Sequence, residues 1–152
     1  MCTSFLGEVL TATHNFGTAP IRAATTADTF TAALYLASAT INAATTAYSA
    51  TGEVSGTNYT AGGVTVTNAT PPASTNTSST AGTAYWTPSA SITYTNVTLT
   101  TAFDAVLIYN STQSNKAVSV HTFGSQTITA GTFTLTMPSN TTSTALLRLA
   151  TT

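Results

Sequence analysis

Residues Phe103 to Met137, FDAVLIYNSTQSNKAVSVHTFGSQTITAGTFTLTM, constrain the fold more than any other part of the chain. The run FDAVLIYN places Phe103, Ala105, Leu107 and Tyr109 on one strand face and Val106 and Ile108 on the other. Apolar residues on both faces mark a strand covered on both sides. The polar segment NSTQSNK then reads as a turn, and AVSVHTF as a second strand whose Val118 and Val120 alternate with Ser119 and His121. Gly124-Ser125 reads as punctuation between strands. Beyond it, QTITAGTFTLTMP sets Ala130-Gly131 between two alternating runs, with Phe133, Leu135 and Met137 on one face. That pattern predicts a hairpin, because glycine accepts the positive φ that tight turns demand.

The flanking sequence is read by the same rules. Residues Thr3 to Phe16 repeat apolar side chains at helical spacing (Phe5 and Val9, Leu6 and Leu10) behind Thr3 and Ser4 as capping residues, and predict a short helix. TFTAALYLA alternates and predicts a strand over 29–37, and Val64 and Val66 open another after a Gly-punctuated segment. Pro71 to Thr83 is small and polar and reads as a mobile surface loop. Tyr85 and Trp86, followed by Pro88, predict a short extended piece at a sheet edge or corner. Ile92 and Tyr94 are out of phase with Val97 and Leu99, which a bulge near Asn96 repairs. Pro138 to Ser143 turns the chain into a last strand, TALLRLA, with Leu147 and Leu149 on one face. Short strands between Gly, Pro, Asn and Ser turns, with no alternating helices, imply an all-β fold: an antiparallel β-sandwich, jelly-roll-like, with a short N-terminal helix. The chain divides into a helix or arm over 1–17 and a sandwich over 18–152, one domain overall.

Composition limits the function classes. Charged residues make up 5% of the chain, against about 25% in ordinary soluble domains. Threonine, about a quarter of the sequence, takes their place; it favours strands while its hydroxyl still meets water. At 42% hydrophobic the chain lacks the composition of a disordered one. Three scattered cations, Arg22, Lys116 and Arg148, argue against a nucleic-acid partner. No apolar run approaches a membrane span, and MCTSFLGEVL lacks the basic start and apolar core of a signal peptide, so synthesis and folding in a cytoplasm without membrane insertion are expected. The single Cys2 fits that compartment and reads as an incidental thiol.

The catalytic inventory is short: Glu8, Asp28, Glu53, Asp104, His14 and His121. No G-x-S-x-G elbow activates a serine, and two distant histidines with one cysteine give no metal-ligand spacing. His121 reads as a strand residue on a solvent or interface face, His14 as a residue at a helix end. Glu53 and Asp104 would serve a glycosidase only if folding set them across one cleft; otherwise Glu53 is an exposed turn residue or ion-pair partner, and Asp104 caps a strand entrance. The six N-x-S/T sites at Asn58, Asn68, Asn76, Asn96, Asn110 and Asn140 follow from composition. Tyr85-Trp86 reads as a core or interface anchor, with a sugar-stacking platform as its rival. No catalytic, cofactor-binding or metal-binding residue is therefore assigned, and no cofactor. Phe5, Val9, Tyr85 and Trp86 are the candidate partner-interface residues.

The phrases SFLGEVLTATHNFG, DTFTAALYLAS, EVSGTNYTAGGVTVT at Glu53 to Thr67, FDAVLIYN, and HTFGSQTITAGTFTLTMP at His121 to Pro138 run in order along nearly the whole chain. In these blocks the chain resembles a family of small structural proteins of tailed bacteriophages. The resemblance implies a virion component without enzymatic activity. It leaves open a capsid decoration (cement) protein or a tail, fibre or adaptor component with a receptor- or carbohydrate-binding role. Sparse charge favours decoration, since a protein buried against many neighbours avoids desolvating ions. The expected partners are the major capsid protein and further copies of the chain, with a homotrimer on the capsid surface as the analogy suggests.

Overall fold

The computed structural model describes Cys2, Phe5, Val9, Thr13, His14, Phe16 and residues 27–75 and 82–150. Seven strands run through them: β1 (Phe30–Leu36), β2 (Val64–Val66), β3 (Ala73–Ser74), β4 (Thr83–Trp86), β5 (Ile92–Asn110), β6 (Lys116–Leu135) and β7 (Leu147–Ala150). All pairings are antiparallel, in two sheets ordered β2-β1-β5-β6 and β3-β4-β7. The all-β class is as expected. The helix expected over Thr3 to Phe16 falls largely outside the described residues; of those inside it, Phe5 and Val9 are helical. Cys2, Phe5 and Phe16 are buried in the same core as β1 and β5.

The central stretch is built from two long strands rather than three short ones. β5 absorbs both the Ile92–Leu99 run and FDAVLIYN, and the turn after Asn110 leads into β6. Gly124-Ser125 and Ala130-Gly131 do not reverse the chain, so the predicted hairpin at Ala130-Gly131 is corrected to a bulge inside β6. The positive φ expected of Gly131 falls on Ala130 (46°) instead. It is spent on an inserted residue because β5 continues alongside and offers β6 a partner through Ile92. The insertions compensate. β5 carries extra residues between Tyr94 and Val97 and between Leu99 and Phe103, and β6 carries them between Thr122 and Gln126 and between Ile128 and Gly131. Register is thereby regained at Ala105↔Thr122.

The bulge predicted near Asn96 is present. Asn96 sits at φ 53°, in the left-handed region that asparagine tolerates, and it brings Ile92, Tyr94, Val97 and Leu99 onto the core side together. Asn96→Val, which puts a β-branched residue into that conformation, is expected to cost about 1–2 kcal/mol, whereas Asn96→Gly stays within about 0.5 kcal/mol. Urea unfolding of the two variants reads the difference; equal midpoints would contradict it.

β1 is buried on both faces, and its edge away from β5 is completed in two pieces. β2 pairs with Phe30 to Ala32, and the segment 52–54 takes over through Leu36 N–H to Gly52 O (2.9 Å) and Val54 N–H to Leu34 O (3.0 Å). Gly63 makes this approach possible: its φ is 87° and a Cβ there would run into the Ala32 carbonyl.

β4 is corrected from an edge piece to the centre of its sheet, between β3 and β7. Pro88 lies beyond its last residue and removes no ladder hydrogen bond. The expected mobile loop over Pro71 to Thr83 contains β3, whose Ala73 and Ser74 pair with Tyr85 and Ala84; residues 76–81 lie outside the described residues.

Candidate functional site

The four candidate interface residues line one apolar pocket of about 200 Å³, where Phe5, Val9, His14 and Phe16 meet Pro72, Ala84, Tyr85, Trp86, Leu147 and Leu149. Strand periodicity explains its floor. Ala84 and Trp86 share a face of β4 and stand opposite Leu149 and Leu147 of β7. A small residue at 84 leaves the hollow open, and Ala84 itself is exposed. Trp86 is 2% exposed and fixed: its ring lies 4.7 Å from Phe16 and 6.1 Å from Phe30, and its Nε1–H donates to Thr70 O (3.1 Å). It is a core anchor, not a face offered to a sugar. Phe5 is equally buried, against His14 and Phe16, while Val9 and Tyr85 are half-buried.

Behind the pocket lies a polar cluster that the sequence did not announce. Asn110 is fully buried at the end of β5. Its Oδ1 accepts the N–H groups of Thr112 and Gln113 (both 3.1 Å), closing the β5–β6 turn. Its Nδ2 donates to Asp28 Oδ2 (2.8 Å) and faces His14 Nδ1 at 3.0 Å. With the amide oxygen already accepting two N–H groups, Nδ2 is the donor, and His14 Nδ1 accepts from it. Gln113 Nε2 donates to Asp28 Oδ1 (3.2 Å). The cluster ties the N-terminal segment and the approach to β1 onto the end of β5. Its sequence signal is an asparagine ending an apolar strand before a Ser/Thr/Gln turn, which is an Asx-turn pattern.

Glu53 is neither an exposed turn residue nor seen in an ion pair. Its Oε2 accepts from Tyr48 OH (2.6 Å), and its Oε1 from Tyr59 OH (2.8 Å) and Gly62 N–H (2.7 Å). Tyr59 OH in turn accepts Leu34 N–H (3.0 Å), Tyr109 OH donates to Gly62 O (2.8 Å) and Tyr35 OH to Ser49 O (2.6 Å). Asp104 lies inside β5 rather than at a strand entrance. Glu53 bridges Tyr35 at one edge of β1 while Ala105, the neighbour of Asp104, pairs with Tyr35 at the other. The two acids therefore flank β1 and share no cleft. His121 is half-buried on β6, with Nε2 2.9 Å from Ser119 Oγ. Among the described residues no group of three or more His, Cys, Asp and Glu side chains is placed to hold a metal ion. No helix among them is long and apolar enough to cross a membrane.

These environments set a pH profile. Tyr35, Tyr59, Tyr94 and Tyr109 are raised above the ordinary value of 10.0, first by burial and also by the negative charge of Glu53. A raised folded value means stability that is whole below pH 10 and lost as the pH climbs further. His121 is lowered from 6.5 by burial, so the folded chain favours the neutral ring and loses stability as the pH falls below 6.5. The melting temperature is expected to be level between roughly pH 7 and 9.5 and to fall on both sides. A level curve to pH 12 would contradict the tyrosine assignment.

Compared with protein-family models, curated proteins and solved structures, the chain matches none.

Proposed function

We propose that this chain is a virion structural protein of a tailed bacteriophage, a capsid decoration protein that clamps neighbouring major capsid subunits and stabilises the shell. The observation that carries the reading is the convergence of Phe5, Val9, Tyr85 and Trp86 on one solvent-open apolar pocket. A hollow of this size accepts a single large apolar side chain; a cavity of about 150 Å³ already binds benzene. The 5% charge content supports the same reading, because large contacts can form without stripping water from ions. Such binding would depend little on salt. In this reading the two sheets are layers of a β-sandwich, jelly-roll-like in outline, joined through Phe16, whose ring stands 4.5 Å from Phe30 of β1 and 4.7 Å from Trp86 of β4. The working unit is a homotrimer on the capsid surface, and the activity is mechanical.

Quantitative mass spectrometry of purified particles tests it. Hundreds of copies in fixed ratio to the major capsid protein are expected, and particles reconstituted with an Ala84→Trp variant, whose pocket is filled, should carry far fewer. A handful of copies per particle would overturn the decoration role in favour of a tail, fibre or adaptor component. Absence from the particle would overturn both.

A further inference from the structure

The ends of the four-stranded sheet are unequal. β2 is three residues long, whereas β6 runs from Lys116 to Leu135 with β5 on one side only. The first residues of its other edge are capped: Ala47 bridges Lys116, Ala117 N–H reaches Thr46 O (2.9 Å) and Val118 O accepts Cys2 N–H (3.0 Å). From Ser119 to Leu135 no described strand or loop bonds to that edge. Natural edges are blunted by lysines, prolines, inward charges or β-bulges. Between Ala117 and Leu135 this one has no Lys, Arg, Asp, Glu or Pro, and only its bulges interrupt it.

We propose that the β6 edge is a self-pairing surface, on which a second copy of this chain adds its own β6 antiparallel across a two-fold axis. Three observations select a second copy as the occupant. An uncharged edge meets itself without setting like charges opposite one another. Within Ser119–Leu135 the irregularities of β6, between Thr122 and Gln126 and between Ile128 and Gly131, lie to either side of Thr127; a third, at Val118, falls outside this run. A two-fold axis at Thr127 therefore lays bulge against bulge and the regular run Ser119–Thr122 against Thr132–Leu135. The contact is also large enough: about 58 Å of edge at ~3.4 Å per residue, roughly 10 Å deep, hides about 1,100 Å² in total, near the lower bound of specific interfaces. Half-buried Phe123, Ile128, Phe133 and Leu135 lie along this edge and would lose further exposure. The pocket includes no β6 residue, so the pairing is independent of the shell-binding reading and is compatible with pairs linking neighbouring trimers.

The test uses the full chain. Thr127 is exposed, and a Thr127→Cys variant places two thiols at the axis, where opposed Cα atoms of an antiparallel pair lie within disulfide reach. Cys2 is buried and does not compete. Mild oxidation is expected to link most Thr127→Cys chains as dimers, while Thr134→Cys, also exposed but opposite Val120 in this register, stays unlinked. Thr127→Lys, which sets two ammonium groups together, should weaken the dimer at least tenfold in sedimentation while leaving the far-UV circular dichroism of the folded chain unchanged. A wild-type chain that stays monomeric at about 100 µM, equal cross-linking at 127 and 134, or a dimer indifferent to Thr127→Lys would each overturn the proposal.

Discussion

Replacing Glu53 with alanine is expected to lower the melting temperature by roughly 8–16 °C, the equivalent of about 4 kcal/mol in a domain of this size. One carboxylate serves three donors, Tyr48 OH, Tyr59 OH and Gly62 N–H. Removing it leaves all three without their acceptor. Each stranded buried donor costs about 1–3 kcal/mol, with the lower end appropriate where water can reach, as it can at half-buried Tyr48 and Tyr59. The loss spreads further, because the same segment completes the edge of β1 through Gly52 and Val54. Tyr59→Phe removes one donor and the acceptor of Leu34 N–H, and should cost about 1–2 kcal/mol. Thermal unfolding of both variants decides the matter. A Glu53→Ala chain melting within 2–3 °C of the parent would show that the carboxylate is merely solvated.

How much of this was legible in the sequence depends on the range of the interaction. The Asn96 bulge could be read because a broken two-residue period is local: Ile92 and Tyr94 cannot share a face with Val97 and Leu99 unless one residue is inserted. Ala130-Gly131 carries the same backbone signal as a hairpin turn, a positive φ. Only the strand lying alongside decides whether the chain reverses or bulges, and that partner begins almost forty residues earlier at Ile92. β4 was misplaced for a similar reason, since Pro88 marks a strand end but says nothing of the neighbours that Ala73 and Leu147 supply. The Glu53 site escaped because its donors are scattered over Tyr48, Tyr59 and Gly62 among many similar residues. A sparse signal existed: a single acid, with no cation near it in sequence, inside a segment rich in tyrosine and glycine. The pocket was legible only as four names, and the fold gave them a common floor through the Ala84↔Leu149 and Trp86↔Leu147 pairs.

Trp86→Ala is expected to match Glu53→Ala in size and to differ in where the damage falls. Deleting a buried tryptophan costs about 3–5 kcal/mol when the surroundings relax only partly. Here the ring packs on Phe16 and Phe30, and its departure also strands the Thr70 carbonyl that accepts Nε1–H. Trp86→Phe keeps an aromatic body but loses that hydrogen bond, and should fall between parent and alanine variant. The position of the ring sets the spatial pattern. β4 holds β3 and β7 in one small sheet, and Phe16 stands between Trp86 and Phe30, with its ring stacked on the latter at 4.5 Å. Without the indole, β4 and β7 lose their packing partner, while β1 and β5 keep a core of Leu34, Tyr35, Leu99, Phe103 and Leu107 that Trp86 does not touch in any ring contact. Amide exchange should therefore accelerate first in Thr83–Trp86 and Leu147–Ala150, with β1 and β5 protected until global unfolding. Uniform acceleration across both sheets would mean that the two open as one cooperative unit, and protection unchanged in β4 would mean that Trp86 is not the anchor its burial implies.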